Sequence, residues 1–97
     1  MYLIRDIFNT KPGRAKDLVA MVKKAMPHMQ APGIKNQRVM TDTVGPYWTV
    51  VCESEVDELQ AYFDAGRNAA PDPEAEAAMK GYMDLVDGGR REIFRIE

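Results

Sequence analysis

"IRDIFNTKPGRAKDL", residues 4–18, opens as a strand, turns at Pro12-Gly13 and closes as the start of a helix. The β-formers extend back to Tyr2, so residues 2–9 make a strand short enough to be half-buried. From Ala15 the apolar positions change period: Ala15, Leu18, Val19, Val22, Ala25 and Met26 form a helical stripe, with Lys16, Asp17, Lys23 and Lys24 opposite. Pro27 cannot continue that helix without meeting the preceding turn, so it ends or kinks near Met26. Arg5 and Asp6 sit side by side in the strand, where alternation sends one of them toward the core.

Residues 35–43 and 47–53 flank Val44-Gly45-Pro46 and read as an antiparallel hairpin. Ser54 is the expected N-cap of the next helix, with Asp57 three residues on in a capping-box position. That helix carries Val56, Leu59, Tyr62 and Phe63, with Gly66 as its stop. Asp72 caps a third helix, Pro73 suits its first position, and Glu74 and Glu76 complement its dipole. Its stripe runs Ala75, Ala78, Met79, Tyr82, Met83 and Val86. Gly88-Gly89 then ends it, and RREIFRIE, residues 90–97, closes the chain as a strand with Glu92, Phe94 and Ile96 on one face.

The order β-α-β-β-α-α-β is the split βαβ, an α+β ferredoxin-like fold: an antiparallel sheet with helices on one face. All 97 residues form one domain, which buries roughly 60–65% of its unfolded surface, a modest core. The bare sheet face carries Leu3, Ile7, Val51 and Ile93, an apolar patch that calls for a partner. A homodimer joined through sheet faces is therefore expected.

A net charge of −2, with thirteen basic residues spread among fifteen acidic ones, argues against nucleic-acid binding. No apolar run approaches the ~20 residues that span a bilayer, and the first residues lack a signal-peptide pattern. Cys52 is alone, so neither a disulfide framework nor a multi-cysteine metal site is available. A cytoplasmic protein is expected.

The first strand ending in KPGRAKDLV, the central hairpin, CESEVDELQAYF as strand into helix, and the aromatic-containing last strand together resemble the dimeric α/β-barrel superfamily. The antibiotic-biosynthesis-monooxygenase-like and NIPSNAP-like branches are the most similar. The resemblance covers nearly the whole chain. It implies a homodimer whose site lies between each sheet and its own helices, and an activity such as cofactor-free quinone-forming monooxygenation, haem degradation, cyclisation or isomerisation, or none assigned. In the haem-degrading branch, an Asn on the first strand falls at or near Asp6, and a helical Trp falls nearest Tyr62. The ligand His of that branch has no counterpart in PDPEAE, residues 71–76. No haem or other cofactor is expected.

Asp6 shares its face with Tyr2, Ile4 and Phe8, so it is either a base in a pocket or one half of a structural pair with Arg38, Arg91 or a helix N-terminus. Arg5 then points outward, to an inter-subunit salt bridge or a similar partner. His28, the single histidine, is the other acid/base candidate at neutral pH. Trp48, Tyr62 and Tyr82 are either substrate-binding walls for a flat molecule or core filling. Met26, Met29, Met79 and Met83 lie at packing positions. Cys52 is expected buried and inert. Capping explains Asp72, Glu74 and Glu76 without a metal. The resulting expectation is a small-molecule-binding dimer of the monooxygenase-like class, acting without a cofactor on an aromatic or polyketide-like compound. Asp6 and His28 are its catalytic candidates. The alternative is a non-catalytic, ligand-responsive or structural homodimer.

Overall fold

A computed structural model describes all 97 residues. Strand β1 (Tyr2–Thr10) leads through Pro12-Gly13 into helix α1 (Ala15–Ala25), and a short 3-10 turn at Met26–His28 follows, with Pro27 near its start. The hairpin is β2 (Lys35–Thr41) and β3 (Thr49–Val56). Helices α2 (Leu59–Asn68) and α3 (Pro73–Ala78), a 3-10 turn at Tyr82–Leu85 and strand β4 (Val86–Arg95) complete the chain. The sheet order is β2-β3-β1-β4, antiparallel throughout. The α+β ferredoxin-like expectation holds.

The register assigns the faces, because residues directly opposite in an antiparallel pair share a side. Asp6 is opposite Cys52 on β3 and Arg91 on β4, while Phe8 is opposite Val50 and Gly89. Phe8, Val50 and Cys52 pack on α1 through Ala15, Leu18 and Val22, so this is the helix-covered face. The helical stripe read from Ala15 onward is the buried one: Ala15, Leu18, Val22 and Ala25 all lose their water. Ile4, Leu18 and Val50 are the largest fully buried side chains.

Leu3, Arg5 and Ile7 face the other way, with Val51 opposite Ile7 and Phe94 opposite Leu3. Ile93, expected on that outer face, is instead opposite Ile4 and faces the helices; Phe94 takes its place outside. The molecule is only 19 Å thin in its shortest dimension, one sheet plus one helical layer, and 13 of 97 residues are buried. No helix covers the outer face: Ile7 and Glu53 are buried among its own side chains, while Phe94 is left exposed.

Four boundaries differ from expectation, the first being that α2 runs through Gly66, its expected stop, to Asn68. Ser54 does not cap a helix; it pairs with Ile4, and β3 runs on to Val56. Asp57 turns its carboxylate to Lys35 Nζ at 2.9 Å, which holds that acid below the usual carboxylate range, and α2 starts without a side-chain cap. The third helix stops at Ala78 because Gly81, at φ 84°, takes the chain into a left-handed turn. Asp72 caps α3 as expected, accepting from the backbone N–H groups of Glu74 and Ala75. Gly88 and Gly89 are strand residues. A Cβ at position 89 would collide with the Ile7 carbonyl oxygen, so glycine there lets β4 close on β1.

Arg5 makes its ion pairs within its own chain. One row crosses all four strands on the outer face: Arg38 on β2, Glu53 on β3, Arg5 on β1 and Glu92 on β4. Glu53 accepts from Arg38 Nε at 2.8 Å and lies 3.1 Å from Arg5 Nε; Arg90 reaches Glu92 at 3.1 Å. The Glu53 side chain is only 7% exposed, roofed by its two arginines.

Candidate functional site

Between the sheet and the layer formed by α1, α2 and the 26–34 segment lies an open cavity of about 610 Å³. That volume falls within the roughly 300–1,000 Å³ of small-molecule sites. Strand alternation brings Asp6, Phe8, Cys52 and Arg91 to its floor. The α1 stripe contributes Val22 and Met26, and Met29 and Ile34 come from the turn and loop beyond it. Helix α2 supplies Tyr62, Phe63 and Arg67 as the far wall. None of the α2 residues is buried, so the helix stands off the sheet and leaves the space open.

The polar centre of the floor is an ion pair. Arg91 Nε donates to Asp6 Oδ1 at 2.6 Å, and Nη2 donates to Oδ2 at 3.4 Å. The side chains are 30% (Asp6) and 48% (Arg91) exposed, so the pair stands in a wet cavity. The carboxylate beside it holds Arg91 above its ordinary value. The guanidinium lies 5.9 Å from the centre of the Tyr62 ring, within cation–π range, and Tyr62 meets Phe63 edge-on at 5.5 Å and 67°. Asp6 therefore combines the two situations that its sequence position left open: it lines an open cavity, and it is paired with Arg91.

Cys52, opposite Asp6, is pushed up to about 11 by burial, and the negative charge of Asp6 adds to the effect. It is a neutral thiol at physiological pH, a small apolar patch of floor.

His28 lines the same cavity at its rim. Its Nδ1 is 3.5 Å from Asp72 Oδ2 and its Nε2 is 3.1 Å from Glu74 Oε2. Both ring nitrogens thus face carboxylates of the α3 N-terminal segment, and the imidazole ties the 26–28 turn to that segment. With the two nitrogens turned to different acids, the trio does not converge on one point as metal ligands must.

The structure brings Asp6, His28 and Tyr62 together. Tyr82 lies in a second open hollow of about 600 Å³ against β4, which meets the first at Asp6, Phe8 and Arg91. Trp48 lines neither. It precedes β3 at φ 59°, in the left-handed region, so strand alternation does not extend to it, and the residue is 42% exposed. What holds Trp48 is its carbonyl, which accepts from the Thr10 N–H at 2.8 Å and the Thr10 hydroxyl at 3.0 Å. Met83, expected at a packing position, is largely exposed. Phe63 and Arg67 were absent from the expected site, and Arg91 entered only as one of several partners for Asp6. The alternation of Arg91, Ile93 and Arg95 against Glu92 and Phe94 was the available signal for it.

No protein-family model matches the chain, and no curated protein does. Solved structures do. An Agrobacterium tumefaciens protein superposes with a TM-score of 0.82 at 14% identity, over 100% of this chain and 94% of that one. An uncharacterized NIPSNAP domain protein from Burkholderia xenovorans gives 0.81 at 11% identity, over 100% and 95%. A candidate antibiotic biosynthesis monooxygenase from Chloroflexus aurantiacus gives 0.71 at 15%, over 99% and 92%. The chain has the ferredoxin-like fold of these antibiotic-biosynthesis-monooxygenase-like and NIPSNAP proteins.

Proposed function

We propose that this chain binds an aromatic or polyketide-like small molecule between its sheet and its helices, and oxidises it with dioxygen without a cofactor. The observation that carries this reading is the Asp6–Arg91 pair at the floor of a cavity that also presents Phe8, Val22, Met26, Ile34 and Phe63. A base beside a fixed cation is what proton abstraction from a phenol needs: Asp6 takes the hydroxyl proton and Arg91 holds the phenolate oxygen. The phenolate is electron-rich enough to reduce dioxygen. One oxygen atom enters the ring at a free C–H position, the other leaves as water, and the substrate supplies all four electrons as it becomes a quinone. Tyr62 and Phe63 would orient the ring. His28 would hold the rim, because its nitrogens are already turned to Asp72 and Glu74. The outer sheet face would be closed by a second copy of the chain.

The fold likeness to a candidate monooxygenase supports the oxidative chemistry. The test is 1-naphthol under air, following dioxygen consumption and 1,4-naphthoquinone absorbance. The wild type should produce one quinone per dioxygen. Asp6→Asn should lose about 10²–10⁴-fold in rate, the usual contribution of a general base. The short Asp6–Arg91 contact favours a second reading, a non-catalytic binding protein in which the pair only recognises polar groups. Saturable binding of 1-naphthol with no dioxygen uptake would select it.

A further inference from the structure

We propose that the ligand of this cavity is an aromatic acid, a flat apolar body carrying one carboxylate that docks on the free edge of Arg91. The inference rests on the cavity being the binding site, as argued above, and adds the chemical class of the ligand.

Arg91 presents five N–H donors in a planar fork. It spends one from Nε and one from Nη2 on Asp6, and no other protein acceptor hydrogen-bonds it. Nη1 and the second Nη2 hydrogen are left without a partner in a cavity whose floor is reached by solvent. That edge has the geometry to grip two carboxylate oxygens at once. The guanidinium plane is supported by the Tyr62 ring at 5.9 Å, so the edge is held in a fixed direction.

Apart from His28, the other charged residues that line the cavity are already paired, Arg67 with Asp64 at 2.7 Å and Arg38 with Glu53 on the outer face, so the free edge of Arg91 is the cation left for an anion. The remaining walls, Val22, Met26, Met29, Ile34 and Phe63, suit a flat apolar body. Asp6 then has a second effect. It competes for the guanidinium and repels the incoming anion, so it limits affinity for the acid while keeping the site selective for molecules that also offer a hydroxyl.

The experiment is a binding titration at neutral pH with 2-naphthoate and, as a size-matched neutral probe, methyl 2-naphthoate. The wild type should prefer the acid by about tenfold, one charge-assisted contact beyond shared apolar burial. Arg91→Gln should abolish that preference, the acid then binding no more tightly than the ester. Asp6→Asn should tighten the acid relative to the ester by about fourfold, the size of one like-charge repulsion in a wet site. Should Arg91→Gln fail to fold, Arg91→Lys keeps the charge without the fork and should reduce the preference. Equal binding of acid and ester by the wild type overturns the inference and leaves the cavity as the binding site. Binding of neither probe overturns both. An acid preference that survives Arg91→Gln, or no tightening in Asp6→Asn, removes the assigned docking edge.

Discussion

Two carboxylates face a cation near the middle of this sheet, and they should answer differently to the same conservative change. Glu53 is 7% exposed and held between Arg5, 3.1 Å away, and Arg38, which reaches it at 2.8 Å through Nε and at 2.5 Å through Nη2. Arg5 Nε sees no water and has no well-aligned acceptor, so its burial is compensated by the charge of Glu53 and, more distantly, by Glu92 at 4.0 Å from Nη1. Glu53→Gln keeps the shape and removes that charge. Breaking a buried pair costs about 3–5 kcal/mol, and the partial exposure of Arg38 (57%) and Arg5 (34%) brings the expected loss to about 3 kcal/mol. The Asp6–Arg91 pair is bidentate but stands in a wet cavity, where such pairs contribute less than about 1 kcal/mol. Asp6→Asn should therefore cost less than about 1 kcal/mol. Urea unfolding of the two variants and the wild type at one matched protein concentration measures both, since any association adds to the apparent stability. A larger loss for Asp6→Asn than for Glu53→Gln would refute the division of labour, because the cavity carboxylate would then be the one that the fold depends on.

The raised Cys52 thiol predicts a high-pH signature. The unfolded thiol ionises near 9.0 and the folded one near 11, so its contribution is intact below about 9 and is lost as pH rises toward 11. Cys52→Ala should remove that part of the alkaline slope in urea titrations, and a wild type and variant with parallel slopes would contradict the burial of the thiol. Gly89→Ala places a methyl group against the Ile7 backbone and should cost about 1–3 kcal/mol, whereas Gly88→Ala opens into free space and should be near neutral; thermal melts of the pair decide. The outer face, where Phe94 is 49% exposed, predicts a homodimer that Phe94→Asp dissociates, and sedimentation equilibrium showing a wild-type monomer at micromolar concentration would exclude it.

The fold was legible because its signals are periodic and local. The α1 stripe, the Pro27 break and the Asp72 cap each depend on residues within one or two turns of one another. The misread points depended on distant contacts. Ser54-Glu55-Val56-Asp57 has the form of a capping box, but β1 offers Ser54 a strand partner and Lys35 offers Asp57 a cation from β2. Gly88-Gly89 has the form of a helix stop, yet the requirement for glycine at 89 arises from the Ile7 backbone, eighty-two positions earlier. The site was half legible for the same reason. Alternation alone turns Asp6 inward, and no local rule says that α2 packs loosely enough to leave a cavity, or that Trp48 leaves the strand pattern through a left-handed backbone.

The Arg5-Asp6 doublet is resolved by its mirror on β4. Strand β4 carries Arg91-Glu92, and antiparallel pairing sets Arg5 opposite Glu92 and Asp6 opposite Arg91. The pleat sends the first couple outward, into the charged row of the bare face, and the second inward, to the cavity. A slip of one residue in one direction would set Asp6 opposite Glu92; in the other it would set Arg5 opposite Arg91. Either slip brings like charges together and turns every apolar residue of the strand to the wrong face. The doublets thus help to fix the register that builds the site. Exchanging the inner couple, Asp6→Arg together with Arg91→Asp, should therefore preserve the register and most of the stability. Each single change should cost about 1 kcal/mol or more through like-charge contact. A double-mutant cycle in urea should show a favourable coupling of about 0.5–1 kcal/mol, modest because the pair is wet. The exchanged protein should fold and still lose its preference for 2-naphthoate, since the cation then stands on β1 and no longer lies over Tyr62. A double variant no more stable than the single ones would show that the inner couple has no part in setting the register.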